Sequence, residues 1–161
     1  MKKILTFALI FVTAMTVNAQ RSYNTAVGVK AGAYSLGGGA GLNLKHFISN
    51  ANAIEFVLGG GNNHLYIDGF YEWQFDTGLT PGLDWYAGLG AGIGFFGNNY
   101  KYDNYYKGNG RTYLNVGAIV GLDYTIPNVP INLAFDVGPR FGILNSRGFG
   151  FGGALALRYA F

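Results

Sequence analysis

Ile131-Asn132-Leu133-Ala134-Phe135-Asp136-Val137-Gly138-Pro139-Arg140-Phe141-Gly142-Ile143 alternates without a break: every odd-numbered residue is apolar, and every even one is polar, charged or small. A period of two belongs to a strand, whose successive side chains point to opposite faces. Leu83 to Phe95 repeats the pattern, with Leu83, Trp85, Ala87, Leu89, Ala91, Ile93 and Phe95 on one face and Asp84, Tyr86 and glycines 88, 90, 92 and 94 on the other. Glycine at every second position would ruin a helix. Both stretches are long amphipathic strands.

Extending this reading along the chain predicts eight strands, over about 25–33, 40–47, 53–60, 64–75, 83–96, 112–126, 131–144 and 149–161. The connectors come in two sets. Ser49-Asn50-Ala51-Asn52, Asp76 to Gly82 and Pro127-Asn128-Val129-Pro130 are short and rich in turn residues. They interleave with Tyr34 to Gly39, Gly61-Asn62-Asn63, Asn98 to Arg111 and Asn145 to Gly148. Eight antiparallel strands with both ends on one side require three connections on that side and four on the other, which is what the sequence supplies.

The faces differ sharply in charge. No Asp, Glu, Lys or Arg falls on the apolar face of any predicted strand, and Thr25 and His46 are its least apolar members. Lys30, Lys45, Glu55, Asp68, Glu72, Asp84, Asp123, Asp136, Arg140 and Arg158 all fall on the opposite face. A soluble sandwich or lipocalin-like barrel also alternates, but it turns its apolar side inward and its charges to water. Here the charged face is also the glycine-rich one, a poor outer surface, while the apolar face carries Trp73, Phe75, Trp85, Phe135, Phe151 and Phe161, too large a patch for water. An inside-out arrangement satisfies both facts: apolar residues toward lipid, polar and small ones inward. Hydrocarbon tolerates no open strand edge, so the sheet must close. The expected fold is therefore all-β, an eight-stranded antiparallel up-and-down transmembrane β-barrel. Eight strands make a lumen just wide enough for their own side chains, with inward glycines such as Gly88, Gly90, Gly117, Gly138 and Gly152 leaving room for Arg140, Arg158, Tyr66, Tyr86 and Tyr113.

Composition and leader agree with this fold. The 161 residues are half hydrophobic and 12% charged, far from a disordered chain, with 27 glycines and no cysteine, which excludes disulfides, thiolate metal sites and cysteine nucleophiles. Met1 to Ala19 reads as a signal peptide, with Lys2 and Lys3 at its start, an uncharged run from Ile4 to Val17, and Val17-Asn18-Ala19 before a cleavage ahead of Gln20. That run is short of the roughly 20 residues of a spanning helix, which argues against a membrane anchor. Residues 20–161 then form the barrel domain. Removing Lys2 and Lys3 with the leader takes the formal charge from +3 to +1, too weak a balance for nucleic-acid binding.

The chain ends Leu155-Ala156-Leu157-Arg158-Tyr159-Ala160-Phe161, an aromatic preceded by apolar residues at every second position. This ending, with Lys45 to Glu55, Tyr71-Glu72-Trp73 and Gly82 to Tyr86, resembles the small eight-stranded outer-membrane barrels of the OmpA/OmpX-like type, within the outer-membrane-protein β-barrel domain group. The resemblance implies residence in the outer membrane of a Gram-negative-type cell, in contact with outer-membrane lipid and lipopolysaccharide. It also implies that Leu157, Tyr159 and Phe161 form the signal read by the barrel assembly machinery. The peptidoglycan-binding domain that follows the barrel in OmpA is absent, so cell-wall tethering does not carry over.

Two candidate sites stand out. The ten inward charges, four cations and six anions, are expected to form a salt-bridge plug, because buried charges must be paired. Strand counting puts Lys45, Glu55, Glu72, Asp123 and Arg158 at one level and Lys30, Asp68, Asp136 and Arg140 at a higher one. The alternative for this set is an ion path and hence a small pore. The connector from Asn98 to Arg111 holds Tyr100, Lys101, Tyr102, Tyr105, Tyr106, Lys107 and Arg111; tyrosine among asparagine and glycine suits adaptable recognition of a glycan or protein ligand, as in adhesion. Against this stands a plain strand extension with interfacial aromatics.

Catalysis needs a nucleophile and a base, and some small barrels modify lipid A with them. The only histidines are His46 and His64, and the serines beyond the leader are Ser22, Ser35, Ser49 and Ser146. His46 is expected on the outer wall, and His64 meets Ser35 or Ser146 only if unrelated loops converge. No enzyme, cofactor or metal is expected. Gly148 to Gly153 matches a dinucleotide fingerprint but opens a strand, where no helix end waits for phosphate. The reading is a monomeric, non-catalytic barrel with a structural or surface-recognition role.

Overall fold

A computed structural model describes residues 23–34, 37–61, 64–96, 112–145 and 148–161. Its eight strands are β1 Thr25–Tyr34, β2 Gly37–Phe47, β3 Asn52–Gly61, β4 His64–Asp76, β5 Leu83–Phe96, β6 Thr112–Thr125, β7 Ile131–Leu144 and β8 Phe149–Ala160. Each is antiparallel to the next, and β8 pairs with β1 to close the barrel. The largest departure from the predicted limits is β2, which begins at Gly37 and not Ala40. Gly37, Gly38 and Gly39 have weak strand propensity alone, but they pair with Tyr34, Ala33 and Gly32 once β1 lies alongside.

One end of the barrel gathers the short turns. Phe161 accepts hydrogen bonds from Asn24 N–H at 3.2 Å and Thr25 N–H at 3.0 Å, and donates its own N–H to the Thr25 carbonyl at 2.8 Å, so the first and last described residues are knit together there. In the β4–β5 turn the Asp76 carboxylate accepts the Gly78 N–H at 2.8 Å. Gly82 adopts φ +82°, with the β6 backbone at Thr125 so near that a Cβ would strike its carbonyl. Asn128 takes φ +64° in the β6–β7 turn, the left-handed conformation that asparagine tolerates.

The wall is apolar outside. Leu42 is 65% exposed and Leu155 64%, and Val29, Phe56, Leu89, Phe135 and Leu157 are exposed alongside them. Aromatic pairs lie toward both rims: Phe75 stacks on Trp85 at 4.2 Å and Tyr71 meets Trp73 at 5.0 Å near the end with the short turns, while Phe141 meets Phe149 at 5.2 Å near the other. Such belts suit the two interfaces of a bilayer. Among the described residues no helix is long and apolar enough to cross a membrane; this fold crosses with strands.

Candidate functional site

Alternation sends every second side chain of each strand into the lumen, and the lumen is where the charges meet. Lys30, Lys45, Glu55, Asp68, Glu72, Asp123, Asp136, Arg140 and Arg158 are all buried. Asp84 is not; it is half-buried at the mouth near the short turns, where it lines a cavity. Among the described residues the buried interior therefore holds four cations and five anions, with the sixth anion of the predicted inward set at the rim.

The pairing forms two layers. In the lower one, Arg158 on β8 reaches Glu55 on β3 and Asn43 on β2, and donates to Asn132 Oδ1 on β7 at 2.8 Å. Lys45 Nζ stands 2.9 Å from Glu72 Oε2 and 2.5 Å from Asp123 Oδ2, and 4.5 Å above the Tyr86 ring. Asn132 also donates to Asp123, and to Thr125 Oγ1 at 3.1 Å. Lys30 links upward, 2.7 Å from Glu55 Oε2 and 2.6 Å from Asp136 Oδ2, and the Tyr86 hydroxyl donates to the same Asp136 oxygen at 2.9 Å. In the upper layer Arg140 donates to Asp68 Oδ2 at 3.4 Å and Asn115 Oδ1 at 3.3 Å, its guanidinium 4.4 Å from the centre of the Phe70 ring. Ion pairs connect β1, β2, β3, β4, β6, β7 and β8 across the interior.

Apolar side chains share this space. Phe70, Tyr86 and Ile119 form a buried cluster within the lumen, so the interior is not uniformly polar and small as alternation suggests. Glycines make the room expected of them. A Cβ at Gly117 would stand 2.5 Å from Arg140 Cδ, and one at Gly121 would stand 2.6 Å from Tyr86 Cζ. Beside Lys30, Tyr66, Asp68 and Arg140 a void of about 10 Å³ remains, enough for about one water. Two buried acceptors, Glu72 Oε1 and Gln74 Oε1, have no donor among the described residues.

The residues that sequence reasoning missed are neutral. Asn43, Asn115, Asn132, Gln74 and Thr125 are buried on the inward face and complete the network. Their strand parity is the same as that of the charges, so parity was the signal that could have found them. Tyr23, just before β1, also closes inward: its hydroxyl donates to Asp123 Oδ1 at 3.4 Å. Burial first, and the Asp123 carboxylate second, hold its phenol pKa well above the ordinary tyrosine range.

The other sequence candidates separate from this network. His46 lies exposed on the outer wall within 2.9 Å of Thr25 Oγ1, and His64 stacks on Tyr66 at 5.9 Å near the far rim. Ser35, Ser146, the leader, and Tyr100, Lys101, Tyr102, Tyr105, Tyr106, Lys107 and Arg111 lie outside the described residues. Leu157 and Tyr159 face outward on β8, and Tyr159 stands 6.1 Å from Phe161. Among the described residues no group of three His, Cys, Asp or Glu is placed to hold a metal ion.

Comparison with protein-family models and with curated proteins finds no match. Solved structures do match. The N-terminal β-barrel domain of Pseudomonas aeruginosa OprF superposes with a TM-score of 0.58 at 14% identity, over 85% of this chain and 98% of that one. Neisserial surface protein A gives 0.52 at 16% identity, over 86% and 96%. A de novo designed transmembrane β-barrel gives 0.58 at 15% identity, over 89% and 99%. At such identities the likeness speaks for architecture and not for activity, and with the closed ladder and the sidedness of its walls, this chain has the fold of the small eight-stranded outer-membrane β-barrels.

Proposed function

We propose that this chain is exported by its leader and resides in a Gram-negative-type outer membrane as a non-catalytic barrel, with the short turns in the periplasm and the four other connections outside. The observation that supports a structural over a transport role is the filling of the lumen: four buried cations and five buried anions are tied across nearly all the strands. Burying these charges unpaired would cost several kcal/mol each, so the network holds itself shut. Lipopolysaccharide and outer-membrane lipid contact the apolar wall, and the assembly machinery reads Leu157, Tyr159 and Phe161. Recognition of an external glycan or protein falls to the tyrosine-rich connector with Tyr100, Lys101, Tyr102, Tyr105, Tyr106, Lys107 and Arg111. Purified protein in planar bilayers is expected to give no stepwise conductance; discrete, reproducible steps would replace this reading with that of a small pore.

A further inference from the structure

Glu72 and Gln74 sit two residues apart on the inward face of β4, and both are buried. Each keeps one oxygen without a donor among the described residues, Glu72 Oε1 and Gln74 Oε1. The other carboxylate oxygen, Glu72 Oε2, is served twice, by the Gln74 amide N–H at 3.1 Å and by Lys45 Nζ at 2.9 Å. Leaving a charged group short of hydrogen bonds in a buried site costs more than leaving a neutral one so. Glu72 is thus the least supported carboxylate of the lower layer.

The groups around it are engaged with other carboxylates. Lys45 on β2 shares its ammonium with Asp123 on β6. Arg158 on β8 serves Glu55 on β3 and Asp123, and Lys30 on β1 serves Glu55 and Asp136 on β7. The Tyr86 hydroxyl on β5 donates to Asp136, and the Tyr23 hydroxyl to Asp123. Lys30, Lys45 and Arg158 therefore face Glu55, Glu72, Asp123 and Asp136, one carboxylate more than there are cations. Of these four, Glu72 is the one with a buried oxygen that no described residue serves.

We propose that the folded barrel binds a proton at Glu72, which stands as a carboxylic acid in a two-point pair with Gln74. A primary amide and a carboxylic acid are complementary: the amide N–H donates to the acid's carbonyl oxygen, and the acid's O–H donates to the amide's. The first of these bonds is in place, from Gln74 Nε2 to Glu72 Oε2, and a proton on Glu72 Oε1 supplies the second, to Gln74 Oε1. One proton thus satisfies both orphan oxygens and brings the three cations and their carboxylates into balance. Other occupants do less. A bridging water would serve both oxygens but leave the extra charge buried. A metal cation would lie beside the Lys45 ammonium, with two oxygens on offer where hard cations take about six.

Infrared difference spectra of the folded full-length barrel in detergent micelles, wild type minus Glu72→Gln, test this at about pH 6, where a solvated glutamate is ionised. The wild type should show the carbonyl stretch of a protonated carboxyl group that the variant lacks. Glutamine at position 72 keeps a two-point pair with Gln74, so the variant should fold, and heat-modifiable gel migration verifies it. Gln74→Leu removes the amide partner and should shift the protonated-carboxyl band. Unfolding releases the proton, because the unfolded chain ionises its glutamates above about pH 4.3. The folding equilibrium constant of the wild type relative to Glu72→Gln, from urea unfolding in lipid vesicles, should accordingly fall about tenfold per pH unit between about pH 5 and about pH 6. A missing band, or a ratio that rises with pH, overturns the proposal and leaves an ionised Glu72 with a bridging water. A band unmoved by Gln74→Leu overturns the pairing, and a ratio that responds to sodium against potassium at fixed pH overturns the proton in favour of a metal cation. None of these outcomes bears on conductance, so the structural role stands or falls separately.

Discussion

Arg158 is the residue on which the interior converges. It is almost fully buried, and its guanidinium serves Glu55, Asp123, Asn43 and Asn132 from four different strands. Truncation takes one donor from each of two carboxylates and two amides, and the cation from between Glu55 and Asp123, in a site that water scarcely reaches. Arg158→Met is therefore expected to lower stability by about 3–5 kcal/mol, the scale of breaking a buried pair from one side, read from urea unfolding in lipid vesicles. Asp84→Asn, at the open mouth, should change it by less than about 1 kcal/mol. Similar losses for the two would show that the lumen pairs are screened by solvent. Both residues have inward parity in the sequence, and parity alone does not separate them. What does is enclosure: Asp84 is half-buried beside the open mouth, whereas Arg158 is shut in by Asn43, Glu55, Asp123 and Asn132 from four other strands.

Among the strands, β7 is the one whose alternation is cleanest in sequence and whose ladder is least regular in structure. Its pairing with β6 lapses at Ala118 and Ile119, opposite Pro139 and Gly138, and the register shifts between Leu114 and Asn115. Proline has no N–H to donate, and a Cβ at Gly138 would collide with the Ala118 carbonyl. Pairing between β7 and β8 continues through both residues, so the defect is one-sided. Pro139→Val restores a donor while keeping an apolar side chain toward lipid. It is expected to add about 1 kcal/mol to stability and to slow amide exchange along the β6–β7 seam. Unchanged exchange there would mean that the lapse has another cause. Alternation showed β7 to be a strand because the pattern belongs to side chains; hydrogen-bond continuity belongs to the backbone, and only the placement of β6 revealed the break.

At the scale of the whole molecule, the ladder closes without the tyrosine-rich connector: β5 and β6 pair from Leu83–Tyr124 to Phe95–Thr112, and β1 and β8 seal the cylinder. Deleting Tyr100 to Gly110 should accordingly leave the folded form intact, seen as unaltered heat-modifiable migration, while abolishing any glycan or protein binding by the outer surface. Binding that survives the deletion would move recognition elsewhere.

Strand number, antiparallel order and the sidedness of the walls were determined by the sequence alone, because period-two alternation is local and membrane burial demands that every strand obey it together. The two charge levels followed from counting along strands, and the observed ion pairs largely respect them, with Lys30 bridging Glu55 below and Asp136 above. Tertiary structure decided the rest: which cation meets which anion, the neutral Asn43 and Asn132 that complete the pairs, the buried Phe70 and Ile119, and the cavity at the mouth. These depend on how strands distant in sequence are staggered around the cylinder. Stagger fixes the relative heights of side chains on opposite walls, a quantity that no single strand carries.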